Sequence, residues 1–380
     1  MVSQLSASDG RRQQETIMSF HPEKPYNELP LLPPKAEVET RTILKQVIKS
    51  RAALAELNGK ALVIPNQDIL INNITLQEAK DSSEIENVFT TSDNLFRAFS
   101  ANMKNPDPAT KEVLSYREAL WAAHTELQET KKFTTELFIK IAQQLKESDS
   151  AIRNEPGTKV QSRKTGEIVY TPPEGENIIR EKLRNLEIFL NDEGFSDFDP
   201  LVKMAVAHYQ FEAIHPFFDG NGRTGRIINV LYLANKGLLD LPVLYLSSYI
   251  IRKKAAYYFL IRGVTEKNDW ESWVLYMLQG VEETALQTID RIVEIRQLMD
   301  STCEKVKQEL PIIYSKELVE TLFEKPYTKI ESLVSKDIAV RQTASKYLKD
   351  LEEIGVLKSQ KCGKETVYLN TELVKLLSKQ

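Results

Sequence analysis

An apolar repeat at three- and four-residue steps runs through residues 199–235 and is broken once, between 215 and 220. Before the break, Leu201, Met204, Ala205, His208, Phe211 and Ile214 follow a helical period; after it, Ile227, Val230, Leu231 and Ala234 resume the spacing. Pro216 and the Asp219-Gly220 pair require a tight loop between the two segments. Asn235 and Gly237 mark the far end. A chain with this pattern folds as helix, loop, helix. Residues 221–223 then fall at the start of the second helix, where unpaired N–H groups and the positive end of the dipole favour an anion.

The loop itself, HPFFDGNGRTGR over residues 215–226, gathers residue types suited to a phosphate-linked substrate. His215 can take a proton near neutral pH. The Asp219 carboxylate can hold a hard divalent cation. Gly220 and Gly222 let backbone N–H groups approach an anion, and Arg223 and Arg226 can grip phosphate oxygens bidentately. Three apart on a helix, the two arginines are expected on the same side. The bland alternative is a capping loop with surface arginines. Residues 220–225 also fit G-x-G-x-x-G, but that fingerprint needs a preceding strand and a βαβ unit. A helix precedes it here, and no Walker-A spacing occurs.

The segment resembles the signature of Fic proteins, H-P-F-x-[D/E]-G-N-G-R-x-x-R, at every fixed position, with Phe218, Thr224 and Gly225 at the free ones. The resemblance reaches from the Pro-rich stretch to about residue 300. It implies a mainly α fold and transfer of AMP from ATP to a hydroxyl side chain (Ser, Thr or Tyr) of another protein. It also implies His215 as general base, Asp219 as ligand of Mg²⁺ or Mn²⁺, and Phe217 as an anchor under the loop. Residues Gly220, Asn221, Gly222, Arg223, Thr224, Gly225 and Arg226 would line the nucleotide. Tyr257 and Tyr258 resemble the paired aromatics near the family's adenine pocket, although a tyrosine pair on a helix is commonly packing.

Two further motifs support the likeness. SSEIEN at residues 82–87 resembles the family's inhibitory helix, expected around residues 82–100, with Ser82 and Glu86 at the matching positions. There the glutamate pairs with the second arginine of the loop, here Arg226, and blocks productive seating of the γ-phosphate. Ser83 and Glu86 also have capping-box spacing, so Glu86 could instead satisfy a helix N-terminus. Residues 159–173, KVQSRKTGEIVYTPP, read as a short hairpin. They resemble the family's flap, with Ile168, Val169 and Tyr170 expected to dock an extended segment of the target. His208, seven before His215, lacks a third metal ligand of suitable spacing and reads as a structural histidine. Trp270, Trp273 and Tyr276 form one helical stripe and read as core.

The remaining organisation follows from punctuation. Residues 1–20 are expected to be disordered, and HPEKPYNELPLLPP at 21–34 to form an extended arm wrapped over the helices. Residues 35–310 form the Fic-type helical domain with its β-hairpin flap. Residues 311–380 read as a small α+β winged helix whose third helix, 341–355, would be the recognition helix. From Tyr314 onward there are twelve Lys and Arg against ten Asp and Glu, too balanced for a basic DNA footprint. DNA is therefore a weakly supported partner, and a protein-contact role is weighed equally; a homodimer and self-modification are compatible with the sequence. The net charge of −4 gives no global attraction to nucleic acid or anionic membrane. Cys303 and Cys362 suggest a reducing compartment. No apolar run spans a membrane and no signal core opens the chain, so a cytoplasmic location is expected. Competing readings are a DNA-binding regulator with a nucleotide-sensing Fic-like part, removal rather than addition of AMP, and a different nucleotide donor.

Overall fold

The computed structural model describes residues 20–101, 106–149, 151–162, 165–362 and 365–378. The disorder expected before residue 20, the hairpin tip at 163–164 and the turn at 363–364 lie outside these residues. Five helices lead: α1 (Arg41–Ala61), α2 (Gln67–Ile85), α3 (Ser92–Ala101), α4 (Pro108–Thr130) and α5 (Thr135–Lys146). A hairpin of β1 (Val160–Gln161) and β2 (Ile168–Tyr170) follows, then α6 (Glu176–Asn191), α7 (Pro200–Ile214), α8 (Asn221–Asn235), α9 (Leu246–Arg252), α10 (Lys254–Lys267) and α11 (Trp270–Glu309). The C-terminal part contains α12 (Lys316–Glu324), β3 (Tyr327–Thr328), α13 (Ile330–Val334), α14 (Arg341–Glu353), β4 (Lys358–Cys362), β5 (Glu365–Leu369) and α15 (Thr371–Ser378). No helix among the described residues is long and apolar enough to cross a membrane.

The centre of the molecule is α7. Nearly all of its residues are buried, which is the expected consequence of a helix apolar on every face. Asp199 caps its N-terminus by accepting from the Leu201 N–H, and Pro200 at the first position has no N–H to satisfy. It packs against α6, α8 and α11. Trp273 of α11 donates its indole N–H to the Ala205 carbonyl at 2.8 Å. The stripe of Trp270, Trp273 and Tyr276 is buried here. The arm over 20–34 lies across α6 and α7: Lys182 Nζ donates to the Leu29 carbonyl, Gln210 to Pro30, and Asn185 exchanges two hydrogen bonds with Leu32.

One boundary differs from the sequence reading. The helix expected around 82–100 is instead the end of α2, which starts at Gln67, and α3 begins separately at Ser92. Helix α11 runs forty residues to Glu309 and packs on α12 and α15. The three-stranded antiparallel sheet has order β3-β5-β4, and with α12–α14 it makes the winged-helix arrangement. This part also grips α2: Asn73 donates to the Phe323 carbonyl at 3.0 Å, and Gln77 donates to the Leu377 carbonyl.

Candidate active site

The loop between α7 and α8 is held by its own side chains. Asn221 donates to the Phe217 carbonyl (2.7 Å) and accepts from the Phe217 N–H (2.9 Å), closing residues 217–221 into a ring. Its amide is thereby committed to the loop, and only its backbone remains to line an anion site. Phe217 is buried beneath, against Phe211. Gly220 adopts φ +84°, a left-handed conformation that suits glycine, as the residue before α8.

His215 ends α7 with φ 50° and ψ 58°, unusual for a non-glycine residue. The Glu212 backbone carbonyl favours a proton on the ring, against burial and Arg153. Burial, with the nearby Arg153 cation, pushes its pKa down to about 4. At neutral pH the ring is uncharged and able to accept a proton.

The two arginines of α8 take different ion-pair partners, and both act on the Glu86 carboxylate. Arg226, 1% exposed, donates from Nε to Ser82 Oγ (2.8 Å) and from Nη2 to the Ser82 carbonyl (2.9 Å) and Glu86 Oε1 (2.8 Å). Arg223, equally buried, donates to Glu112 Oε1 at 2.5 Å and lies 3.7 Å from Asp219. Lys146 of α5 joins the same cluster, 3.0 Å from Glu112 and 2.6 Å from Asp219. Burial raises the pKa of the Asp219 carboxyl, but the Lys146 contact and Arg223 more than offset this and hold it low. Neither Glu112 nor Lys146 was visible as a site residue in the sequence.

Glu86 caps the C-terminus of α2, so it cannot belong to an N-terminal capping box. Asn87 follows with φ 64°, a left-handed turn of the kind that commonly ends a helix. The Glu86 carboxylate stands directly over Gly222, in space that a Cβ at that position would fill. An anion therefore already sits at the N-terminus of α8. Burial opposes its charge, but Arg226, Arg223 and Lys254 outweigh burial and keep it ionised.

The other residues expected at the nucleotide are placed as follows. Thr224 is fully buried, and Gly225 faces α7, where an added Cβ would meet Glu212 Oε1 at 2.6 Å and Phe211 at 3.2 Å. Tyr257 is buried and hydrogen-bonds His208 Nε2 at 2.9 Å, while His208 stacks on Trp273; Tyr258 is exposed. In the hairpin, Val160 pairs with Tyr170 and Gln161 with Ile168, which leaves a register irregularity beside Val169. Tyr170 turns inward: its hydroxyl donates to the Ala213 carbonyl at 2.8 Å, and its ring stacks on Phe20. Only Ile168 and Val169 remain as side chains of β2 without such a commitment among the described residues.

Glu212 gives a stability test. Among the described residues its Oε1 is buried without a hydrogen-bond partner, and burial pushes its pKa up to about 8, Arg226 opposing and Glu86 adding. The folded state thus retains a proton that the unfolded chain, at about 4.3, has lost. That contribution is complete below the unfolded value and is lost as pH rises through about 8. Glu212→Gln should flatten the decline, so its melting temperature gains on the parent's as pH rises toward 8. Parallel melting curves across the series would contradict this placement.

The arrangement can bind an anion at the start of α8, accept a proton at His215 and hold a hard cation at Asp219. The Asp219 carboxylate, 63% exposed, suits Mg²⁺, which commonly takes one protein carboxylate plus substrate phosphates. The anion already over Gly222 shows that the cradle accepts negative charge.

Comparisons with known proteins agree with this geometry. The Fic/DOC family N-terminal model matches residues 44–125, the Fic/DOC family model residues 132–233, and the model for the C-terminal domain of SoFic-like protein adenylyltransferases residues 298–373. Protein adenylyltransferase fic-1 of Caenorhabditis elegans is 33% identical over 115 residues, 30% of this chain and 21% of that protein. Protein adenylyltransferase Fic of Drosophila erecta is 29% identical over 112 residues, 30% of this chain and 21% of that protein. The chain thus matches about a fifth of the length of these curated relatives. A Fic family protein from Desulfovibrio desulfuricans superposes with TM-score 0.55 at 16% identity, covering 89% of this chain and 98% of the other. Fic-1 from C. elegans gives 0.52 at 20%, covering 67% and 73%. These two likenesses bear on the fold. With three family models matched in succession along one helical scaffold, the chain belongs to the Fic family.

Proposed function

We propose that this protein is an adenylyltransferase that moves AMP from ATP onto a hydroxyl side chain of a target protein, and that Glu86 holds it at rest. The observation that carries the reading is a neutral His215 at the mouth of an anion cradle whose Arg226 is taken by Glu86. His215 takes the proton of the acceptor hydroxyl. The hydroxyl oxygen attacks the α-phosphorus, a new P–O bond forms, and the bond to the departing diphosphate breaks. The N–H groups opening α8 and the Arg223 and Arg226 guanidinium groups hold the phosphate charge. Asp219 would hold Mg²⁺ or Mn²⁺, which neutralises charge on the triphosphate. The names of the C. elegans and Drosophila relatives support the same reaction.

The test uses a Glu86→Gly chain incubated with a cell lysate and ATP labelled at either the α- or the γ-phosphate. Label should enter protein from the α position alone and should require Mg²⁺ or Mn²⁺. Asp219→Ala should lower the rate by roughly tenfold or more, since electrostatic groups of this kind contribute 10²–10³-fold when optimally placed. Label arriving only from the γ position, or transfer undiminished in EDTA, would overturn the proposal.

A further inference from the structure

We propose that Arg153 is a positioning residue for His215, locking the end of α7 and coupling it to the far end of the flap hairpin. The inference deepens the transferase reading and rests on it for its kinetic consequences. Arg153 lies in the irregular segment between α5 and β1 and is 1% exposed. Its Nε donates to the His215 carbonyl at 2.7 Å, and its Nη2 is shared between the Ile214 carbonyl at 3.3 Å and the Pro173 carbonyl. Its backbone N–H donates to the Pro216 carbonyl at 2.9 Å.

The final carbonyls of a helix have no intrahelical donors, and a buried set needs partners from elsewhere. Arg153 supplies them at the residue that must act and at the residues on either side. Tyr170 of β2 supplies another at Ala213. The Arg153 cation meets the negative end of the α7 dipole, a favourable placement. The left-handed backbone of His215 is disfavoured for a residue with a Cβ and persists only when its surroundings over-determine it. The bond to the His215 carbonyl is such a constraint. It fixes the peptide plane next to the imidazole and so the direction from which the ring faces the loop.

The charges facing His215 are Arg153, which disfavours its protonation, and Glu86 of α2 and Asp219 of the loop, which favour it. The Glu212 backbone carbonyl also favours a proton on the ring. Removing Arg153 therefore affects the ring in two ways. Its orientation loosens, and its proton affinity rises.

The chain has four histidines, so the His215 imidazole can be followed by long-range ¹H–¹⁵N NMR and assigned by its loss in His215→Ala. In the parent, it should remain in one neutral tautomer, with a titration midpoint near 4. In Arg153→Met, the midpoint should move toward the ordinary histidine value of about 6.5 and the tautomers should mix. Arg153→Lys, which keeps a cation but loses the fork, should fall between and serves if the methionine variant does not fold. In the Glu86→Gly background, Arg153→Met should lower kcat by roughly 10- to 100-fold, the scale of a small misplacement of a catalytic group. KM for ATP should stay nearly unchanged, and the lysine variant should recover part of the rate. An Arg153 that merely stabilises the fold would lower the melting temperature and leave the His215 signal, its midpoint and kcat where they were; that result overturns the proposal. If Glu86→Gly transfers no AMP at all, the transferase reading fails, while the NMR comparison still decides whether Arg153 positions His215.

Discussion

Replacing His215 by alanine should slow AMP transfer by about 10²- to 10⁴-fold, the usual contribution of a positioned general base. The ring is neutral at physiological pH because burial, helped by Arg153, holds its pKa near 4. The base is therefore present well below the pH at which an ordinary histidine would be half protonated. In a Glu86→Gly chain, the acid limb of kcat/KM should fall near 4 rather than near the ordinary value of about 6.5, as long as the protein stays folded. The loss in His215→Ala should be confined to chemistry. In the proposed mechanism Arg223, Arg226 and the start of α8 would hold phosphate independently of the imidazole, so ATP affinity should change little. Binding by calorimetry and transfer from α-labelled ATP, measured on the same preparation, separate the two. An alanine variant that transfers at the parent rate would remove His215 from the mechanism.

The parts of this site that were legible in the sequence are those held together by local pattern. α7 and α8 could be bounded closely because Asp199, Pro200, Pro216 and Gly220 are punctuation with defined backbone consequences. The true extent of α2 was hidden for the opposite reason. Apolar Ile69, Leu70, Ile74 and Leu76 and polar Asn73, Gln77, Glu78 and Ser82 are all buried, so the helix has no solvent face to give it a period. Its most polar stretch lies at its end and reads as a beginning.

Arg153 left no trace in the sequence, since its partners are backbone carbonyls, and a carbonyl has the same chemistry in every residue type. Glu112 and Lys146 reach the loop from α4 and α5 across long sequence separations, and one charged residue on an amphipathic helix is indistinguishable from a solvated face. In the C-terminal part, β3 is two residues long and α15 follows β5 with one residue between, too little for a periodic signal. The partners of Arg223 and Arg226 were hidden for a simpler reason. Spacing places two Cβ atoms, but long side chains follow their partners, here Glu112 on one helix and Glu86 on another.

Glu86→Gly should raise transfer by roughly one to two orders of magnitude. Arg226 has three hydrogen bonds to α2, and only one of them goes to Glu86; Ser82 Oγ and the Ser82 carbonyl provide the others. Removing the carboxylate therefore leaves the guanidinium oriented with one donor direction released, rather than letting it collapse. A charge-assisted hydrogen bond contributes about 1.5–3 kcal/mol, and about 1.4 kcal/mol is tenfold in rate, which sets the expected range. The side chain also fills the space over Gly222, so charge and volume both oppose a phosphate. Glu86→Gln separates them: it keeps the volume and drops the charge, and its gain should fall between those of the parent and the glycine variant. The double variant Glu86→Gly with His215→Ala should stay silent, because release supplies no base. Some loss of thermal stability should accompany the gain, since the buried Arg226 loses its counter-charge. A Glu86→Gly chain that melts lower yet transfers no faster would mean that the pair secures α2 to α8 and restrains nothing.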